Sequence, residues 1–297
     1  MTTGVGGRKW AALPLSLAVI ALAVVSAASA HAVEPAAVAP LPQQAAARQV
    51  EQTELAFAQT VAQVGIGPGF RKYAGPAAVM FLPDPTPAAP YLQTTRSPGQ
   101  LAWRPQYIGV APSGDLAFSL GPSLYRAAGK SSGGFYLTIW KRAPDGSWMF
   151  ALDHGVDMPA AVFEAPPQPL TVIATDPLAR PDQSQGLREA DASLDADLSN
   201  GPSGAYASRL EDEALVVRTN RPVAWGRRRA LKLIDDAPAI LEAQLLSGAV
   251  SADGVLGYAY GKARWQTPAG MQQGYYVRVW RNTGRGWRLL VDHLAER

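Results

Sequence analysis

The sequence predicts an α+β protein in which one domain is written twice, and three observations carry that prediction. "GFYLTIWKRAPDGSWMFALDH" at 134–154 returns as "GYYVRVWRNTGRGWRLLVDH" at 274–293. Both stretches alternate in the period of two that paired strands require. In each half, apolar residues at helical spacing come before the strands, which is the order of an α+β domain rather than of alternating βαβ units.

The chain has 297 residues, 47% hydrophobic and 17% charged, a globular composition with room for two domains. Residues 1–32 read as an export signal. Arg8 and Lys9 precede the apolar run Trp10–Ala27, and small-x-small sites follow at Ala28-Ser29-Ala30 and Ala30-His31-Ala32. An uncleaved anchor is the alternative, since a span needs about 20 apolar residues. Pro14 and the adjacent cleavage sites favour removal, hence a periplasmic or secreted protein with no membrane association after cleavage. Residues 33–48 form a Pro/Ala-rich tether too poor in bulky apolar groups to pack.

The first domain is expected over 49–157. Val50, Phe57, Val61 and Val64 give a helical stripe that stops at Gly65. "PGFRKYAG" adds a second helical turn, and "AAVMFLP" at 77–83 reads as a strand ending at proline. A Pro-rich loop with Tyr91 follows. Next come two strands joined at Pro112-Ser113-Gly114-Asp115, then a hairpin that turns at Asp145-Gly146.

Residues 158–186 are a Pro-rich linker, in which "PLTVIAT" is the one stretch able to add an edge strand. The second domain is expected over 187–297. Leu187, Leu194 and Leu198 restart the helical stripe, and "AYASRLEDEALVVR" lies over "GFRKYAGPAAVMFL" at an offset of 136. "SADGVLGYAYG" lies over "APSGDLAFSLG" at an offset of 140. A period this long means two whole domains, because solenoid repeats run about 20–50 residues.

Absence of cysteine excludes disulfides, thiolate nucleophiles and thiolate metal sites. Without Arg8 and Lys9 the chain carries 25 basic and 24 acidic residues, a net charge of +1, so no nucleic-acid partner is expected. The basic run Arg227–Arg229 is followed by Asp235 and Asp236 and reads as a solvated face rather than a phosphate patch. Asp191, Asp195 and Asp197 and the run Glu211–Glu213 also read as solvated helix faces.

Ser113-Gly114-Asp115-Leu116, Gly121, Gly134, Tyr136, Trp140, Asp145-Gly146, Trp148 and Asp153 together resemble the bacterial domains of unknown function in the nuclear transport factor 2-like superfamily. That superfamily also holds ketosteroid isomerase, scytalone dehydratase, limonene epoxide hydrolase and the SnoaL-like polyketide cyclases. The resemblance implies two cone-shaped domains, each with N-terminal helices packed on a curved antiparallel sheet. It further implies sheet-to-sheet pairing, so that one chain forms its own pseudo-dimer. The second copy departs from the pattern at Asp253-Gly254-Val255 and at Arg285-Gly286.

Two Asp-His pairs, Asp153-His154 and Asp292-His293, are the sharpest candidates for chemistry. Adjacent strand residues face opposite ways, which argues against a dyad within either pair. Strict alternation puts His154 with Trp148, Phe150 and Leu152, and His293 with Trp287, Leu289 and Val291. These bulkier faces are assigned to the concave side, with the histidines near the rim and the aspartates facing outward. The alternative is that each pair marks a strand end, tied to backbone or to its counterpart.

Tyr136 with Trp140, and Tyr276 with Trp280, share faces suited to a flat apolar ligand or, alternatively, to a core. No catalytic set transfers from the family residue by residue, and no metal or cofactor pattern is present. Three functions remain open. They are a binding protein for a small apolar or aromatic molecule, a cofactor-independent acid-base enzyme of isomerase, dehydratase or cyclase type, and a non-catalytic interaction scaffold.

Overall fold

A computed structural model of the protein describes residues 42–175, 184–198 and 201–296. The signal, most of the tether and part of the linker expected from the sequence lie outside these residues. The first half opens with helix α1 (Gln43–Val64), which begins inside the expected tether because Ala45, Ala46 and Ala47 favour helix and the last two are buried. It stops at Gly65, whose φ of 88° side chains other than glycine rarely adopt.

Next come α2 (Ile66–Tyr73), β1 (Ala74–Phe81), β2 (Pro85–Pro87) and α3 (Ala88–Thr94). Helix α3 replaces the expected Pro-rich loop. Pro90 sits in its first turn, where an N–H has no helical partner to lose, and Leu92 is fully buried. Strands β3 (Gln100–Trp103), β4 (Tyr107–Val110), β5 (Leu116–Ala127), β6 (Lys130–Arg142) and β7 (Trp148–Met158) complete the unit. The linker contributes α4 (Ala161–Glu164) and β8 (Thr171–Ile173), the latter on the stretch able to form an edge strand.

The second half repeats the order with α5 (Ser184–Leu198), α6 (Pro202–Ala207), β9 (Leu210–Arg218), β10 (Ala224–Trp225), α7 (Arg227–Asp235), β11 (Ile240–Val250), β12 (Leu256–Thr267), β13 (Gly270–Thr283) and β14 (Gly286–Glu296). The first sheet runs β2-β1-β7-β6-β5-β4-β8, with β3 also on β5, and the second runs β10-β9-β14-β13-β12-β11. The long strands form antiparallel meanders, while β1 on β7 and β9 on β14 are parallel. Gly121 is dictated by close approach, since a Cβ there would lie 2.0 Å from the Arg104 carbonyl oxygen. Its counterpart Gly261 meets Gln244 in the same way, at 2.3 Å.

In each half the helices close over the concave face of a curved sheet, making a cone with its own core. The outer faces of the two sheets meet in a third core, which joins Phe118, Leu137, Leu152 and Val156 to Val217, Val277, Val279 and Val291. Two turns also exchange hydrogen bonds. The Ser113 N–H donates to Asp253 at 2.6 Å and the Ala252 N–H donates to Asp115 at 3.0 Å.

Phe57, on the apolar stripe of α1, is the hub of the first cone. Its ring lies 4.7 Å from Phe70, 4.8 Å from Trp103, 6.0 Å from Phe150 and 6.2 Å from Trp140. Phe57→Ala is therefore expected to cost about 3–5 kcal/mol in chemical denaturation, the range for deleting a buried aromatic.

Candidate functional site

The last hairpin of each half carries a β-bulge. Ile139 pairs with Leu152 and Trp140 with Phe150, so Ala151 is an extra residue on β7; Leu290 is the extra residue on β14. A bulge reverses the side-chain parity beyond it. Trp148 and Phe150 face the cone, as expected. Leu152, His154 and Val156 face the other sheet, and Asp153 points into the cone beside Thr138 and Met80. The expected placement of the histidines at the concave rim and the aspartates outside is thus reversed in both halves, because the extra residue shifts the alternation by one.

The two histidines meet between the sheets, His154 Nδ1 lying 2.8 Å from His293 Nδ1. His293 Nε2 lies 3.0 Å from the Phe135 carbonyl oxygen, so it carries the proton there and its Nδ1 accepts from the Nδ1–H of His154. His154 Nε2 is then a bare lone pair without a partner, with the Phe81 ring 4.5 Å from the imidazole. Burial and the neighbouring His293 push the pKa of His154 well down. Burial, opposed by the Phe135 carbonyl, brings His293 to about 3. Both rings are neutral at ordinary pH.

Tyr136 and Trp140 line the first cone and Tyr276 and Trp280 the second, all buried in the cone cores. The first interior also holds two carboxyls, Glu54, which the sequence reading missed, and Asp153, which it placed on the outer face. Glu54, fully buried on α1, accepts from Trp103 Nε1 at 2.5 Å and from Ser119, whose Oγ accepts from Trp140 Nε1 at 2.9 Å. Asp153 accepts from Thr138 at 2.9 Å, and the Tyr136 hydroxyl, close to Ser119, has no partner of hydrogen-bond geometry among the described residues. Burial outweighs the bonds from Ser119 and Trp103 and raises Glu54 to about 7, with the Asp153 charge adding to the rise. Burial likewise raises Asp153 to about 6 against the Thr138 bond.

The second interior fills the matching positions with ion pairs. Arg278, where the first half has Thr138, lies 3.1 Å from Asp191, 2.7 Å from Asp195 and 3.6 Å from Asp292. Arg218 lies 2.6 Å from Asp292. Tyr276 and Trp280 donate to Asp191 at 2.8 and 3.1 Å. Burial would raise Asp292, yet Arg218 and Arg278 outweigh it and hold its pKa below the usual range. The expectation of a solvated acidic face fails for Asp191 and Asp195, which are turned in against Arg278, and holds for Asp197, half exposed beside Arg209. Among the described residues no cluster of three His, Cys, Asp or Glu side chains is placed to hold a metal ion.

Between the two sheets the chain leaves a cleft of about 520 Å³. On one wall β1 arches away from β7, so that four residues between Ala74 and Val79 lie opposite Ala151 alone. Ala77, Val79, Met149 and Ala151 line this side, and Tyr258 and Tyr260 of β12 line the other. Lys141 and Arg142 are the charged side chains of the lining.

The second half builds the same arch between Leu210 and Leu215 opposite Leu290, but there the side facing the other sheet is filled by Phe118 and Leu120, and a smaller groove of about 330 Å³ is left along Leu210, Glu211, Arg281 and Arg288. Glu211 and Glu213, expected on a solvated helix face, sit on β9 and hold Arg281 at 2.9 and 2.8 Å. Arg281 also donates to the Ala174 carbonyl at 2.6 Å. Strand β8 runs parallel along β4 with Ile173 buried, and Trp225 stacks 5.0 Å from Tyr107. In the open cleft Gly75, Ala77 and Lys141 stand where Glu211, Glu213 and Arg281 stand in the filled one, and Ser247 on β11 is exposed where Tyr107 on β4 is covered. The signal that would have found both the polar interiors and the cleft is the charge difference between matched positions, rather than their identity.

No family model and no curated protein matches the sequence. Solved structures do. One is a protein of the nuclear transport factor 2-like family from Streptomyces avermitilis, 19% identical, covering 39% of this chain and 99% of that one with a TM-score of 0.33. A ketosteroid isomerase-like protein from Erwinia carotovora is 9% identical, covering 39% of this chain and 96% of its own at a TM-score of 0.35. A nuclear transport factor 2-like protein with a cystatin-like fold from Novosphingobium aromaticivorans is 18% identical, covering 38% of this chain and 80% of that one, with a TM-score of 0.31.

The two buried clusters titrate in opposite senses. The histidines have folded pKa values below the usual 6.5, so stability is lost as pH falls from about 6.5 towards 3. Acid titration followed by circular dichroism is expected to show that loss reduced in His154→Phe/His293→Leu. His154→Ala alone should cost about 1–3 kcal/mol, because His293 Nδ1 loses its donor in a buried site. Glu54 has a folded pKa near 7 against the usual 4.5, so its ionisation removes stability as pH rises between those values. Glu54→Gln is expected to flatten the fall in Tm between about pH 5 and about pH 8.

Proposed function

We propose that the chain is an exported duplication of a nuclear transport factor 2-like domain, and that it binds a small apolar or aromatic molecule in the cleft between the two sheets. The observation that carries this reading is the 520 Å³ cleft itself. Its size falls within the range of about 300–1,000 Å³ typical of small-molecule pockets, and it lies at a domain interface, where such pockets concentrate. The cone interiors, by contrast, are occupied by their own side chains: Phe57, Trp140, Arg278 and Trp280 are at most 1% exposed. The reading therefore moves the ligand from Tyr136, Trp140, Tyr276, Trp280 and the two histidines to Ala77, Met149, Ala151, Tyr258 and Tyr260.

A second reading rests on Glu54 and Asp153, whose raised pKa values of about 7 and about 6 suit proton transfer near neutral pH, beside the Tyr136 hydroxyl. In that reading the first cone is a cofactor-independent acid-base site and the second, neutralised by arginine, is structural. Glu54 is fully buried, so a substrate reaches it only through an opening of the cone.

Titration with the neutral fluorophore phenylnaphthylamine separates the readings. Saturable one-to-one binding is expected, lost when Ala77→Trp fills the cleft and kept in Glu54→Gln. Loss in Glu54→Gln with retention in Ala77→Trp would favour the cone. Binding to neither would leave the scaffold reading, in which the sheets only pair.

A further inference from the structure

The cation at the rim of the open cleft lacks the partners that its counterpart has. In the filled region, Arg281 is held by Glu211 at 2.9 Å and Glu213 at 2.8 Å and donates to the Ala174 carbonyl at 2.6 Å. Lys141 occupies the same place on β6 that Arg281 occupies on β13, on the face turned towards the other sheet. The positions facing it on the β1 arch are Gly75 and Ala77, which bear no charge. The edge of β11 has no neighbour corresponding to β8 among the described residues. Lys141 is exposed and makes no hydrogen bond or ion pair among the described residues, whereas Arg142 donates to the Gly146 carbonyl at 3.2 Å. Among the described residues no carboxylate lines the cleft.

Resting on the reading of the cleft as the ligand site, we propose that the ligand is an amphipathic anion: an apolar aromatic or aliphatic body lying against Met149, Ala151, Tyr258 and Tyr260, with a single acidic head held by Lys141. The protein itself carries the template, since a cation at this position in the filled region is satisfied by carboxylates and a carbonyl. In the open cleft those acceptors arrive with the ligand. An ammonium on a flexible stem follows a head group of variable position, as a point charge does, whereas the planar fork of Arg281 matches its fixed carboxylates. Burial of the apolar body provides most of the affinity, and the partly exposed ion pair provides selection for charge.

The test uses the full chain and two probes with the same arene body, anilinonaphthalene sulfonate and neutral phenylnaphthylamine. Lys141→Glu is expected to weaken the sulfonate probe at least about fivefold, the effect of losing an ion pair near 1 kcal/mol. The neutral probe should stay within about twofold, and added salt should weaken only the sulfonate. If Lys141→Glu leaves sulfonate binding unchanged while Ala77→Trp abolishes it, the anion assignment is overturned and the cleft stands. The same conclusion follows if only the neutral probe binds the parent chain. If both probes persist in Ala77→Trp, or neither binds the parent, the cleft reading falls and the anion assignment with it.

Discussion

One extra residue in the last strand of each half governs the rest of the structure. Ala151 and Leu290 each stand unpaired in the ladder, and beyond them every side chain changes face. That inversion places Asp153 and Asp292 inside the cones and leaves His154 and His293 facing each other between the sheets. It also shapes the cleft, since Ala151 is part of the wall and β1 must arch to pass it. Remove the bulge and the carboxylates would abut the opposite apolar sheet without partners, a burial costing several kcal/mol per ion.

The two interiors then answer one physical problem in two ways. A carboxyl deep in an apolar cone must be neutralised, either by a cation or by a proton. Asp292 meets Arg218 and Arg278 and stays ionised, its pKa held down. Asp153 stands at the same point of the other cone with Thr138 where Arg278 would be, and its pKa rises. On the helix side, Glu54 accepts from Trp103 and Ser119, whereas Asp191 accepts from Trp280 and pairs with Arg278. The second cone is thereby locked by charge, whereas the first retains groups that exchange protons near neutral pH.

A similar divergence separates the two clefts. Glutamates on β9, an arginine on β13 and a short strand from the linker fill one of them. Glycine and alanine on β1 and a lysine on β6 leave the other open. Two halves of like topology that pack sheet to sheet leave two related hollows at their interface, and the side chains at a few matched positions fill one and keep the other.

Much of the fold was legible because its signals are local. Gly65 ends α1, Asp145-Gly146 turns the hairpin, and the stripe of Leu187, Leu194 and Leu198 marks α5, each through its own backbone or spacing preference. Helix α3 was missed because prolines read as a loop, although Pro90 falls in the one turn that tolerates it. The polar interiors were not legible, since Glu54 and Ser119 are 65 positions apart and Asp191 and Arg278 are 87 apart, whereas the contact of His154 with His293 was open as an alternative. The sequence by itself determined that helices precede strands in each half, where the long strands alternate, and that the pattern of 134–154 returns at 274–293. The tertiary structure alone decided which way the aspartates and histidines point and which hollow stays open, because a bulge and a cleft belong to the pairing between strands and cannot be read from the alternation within either one.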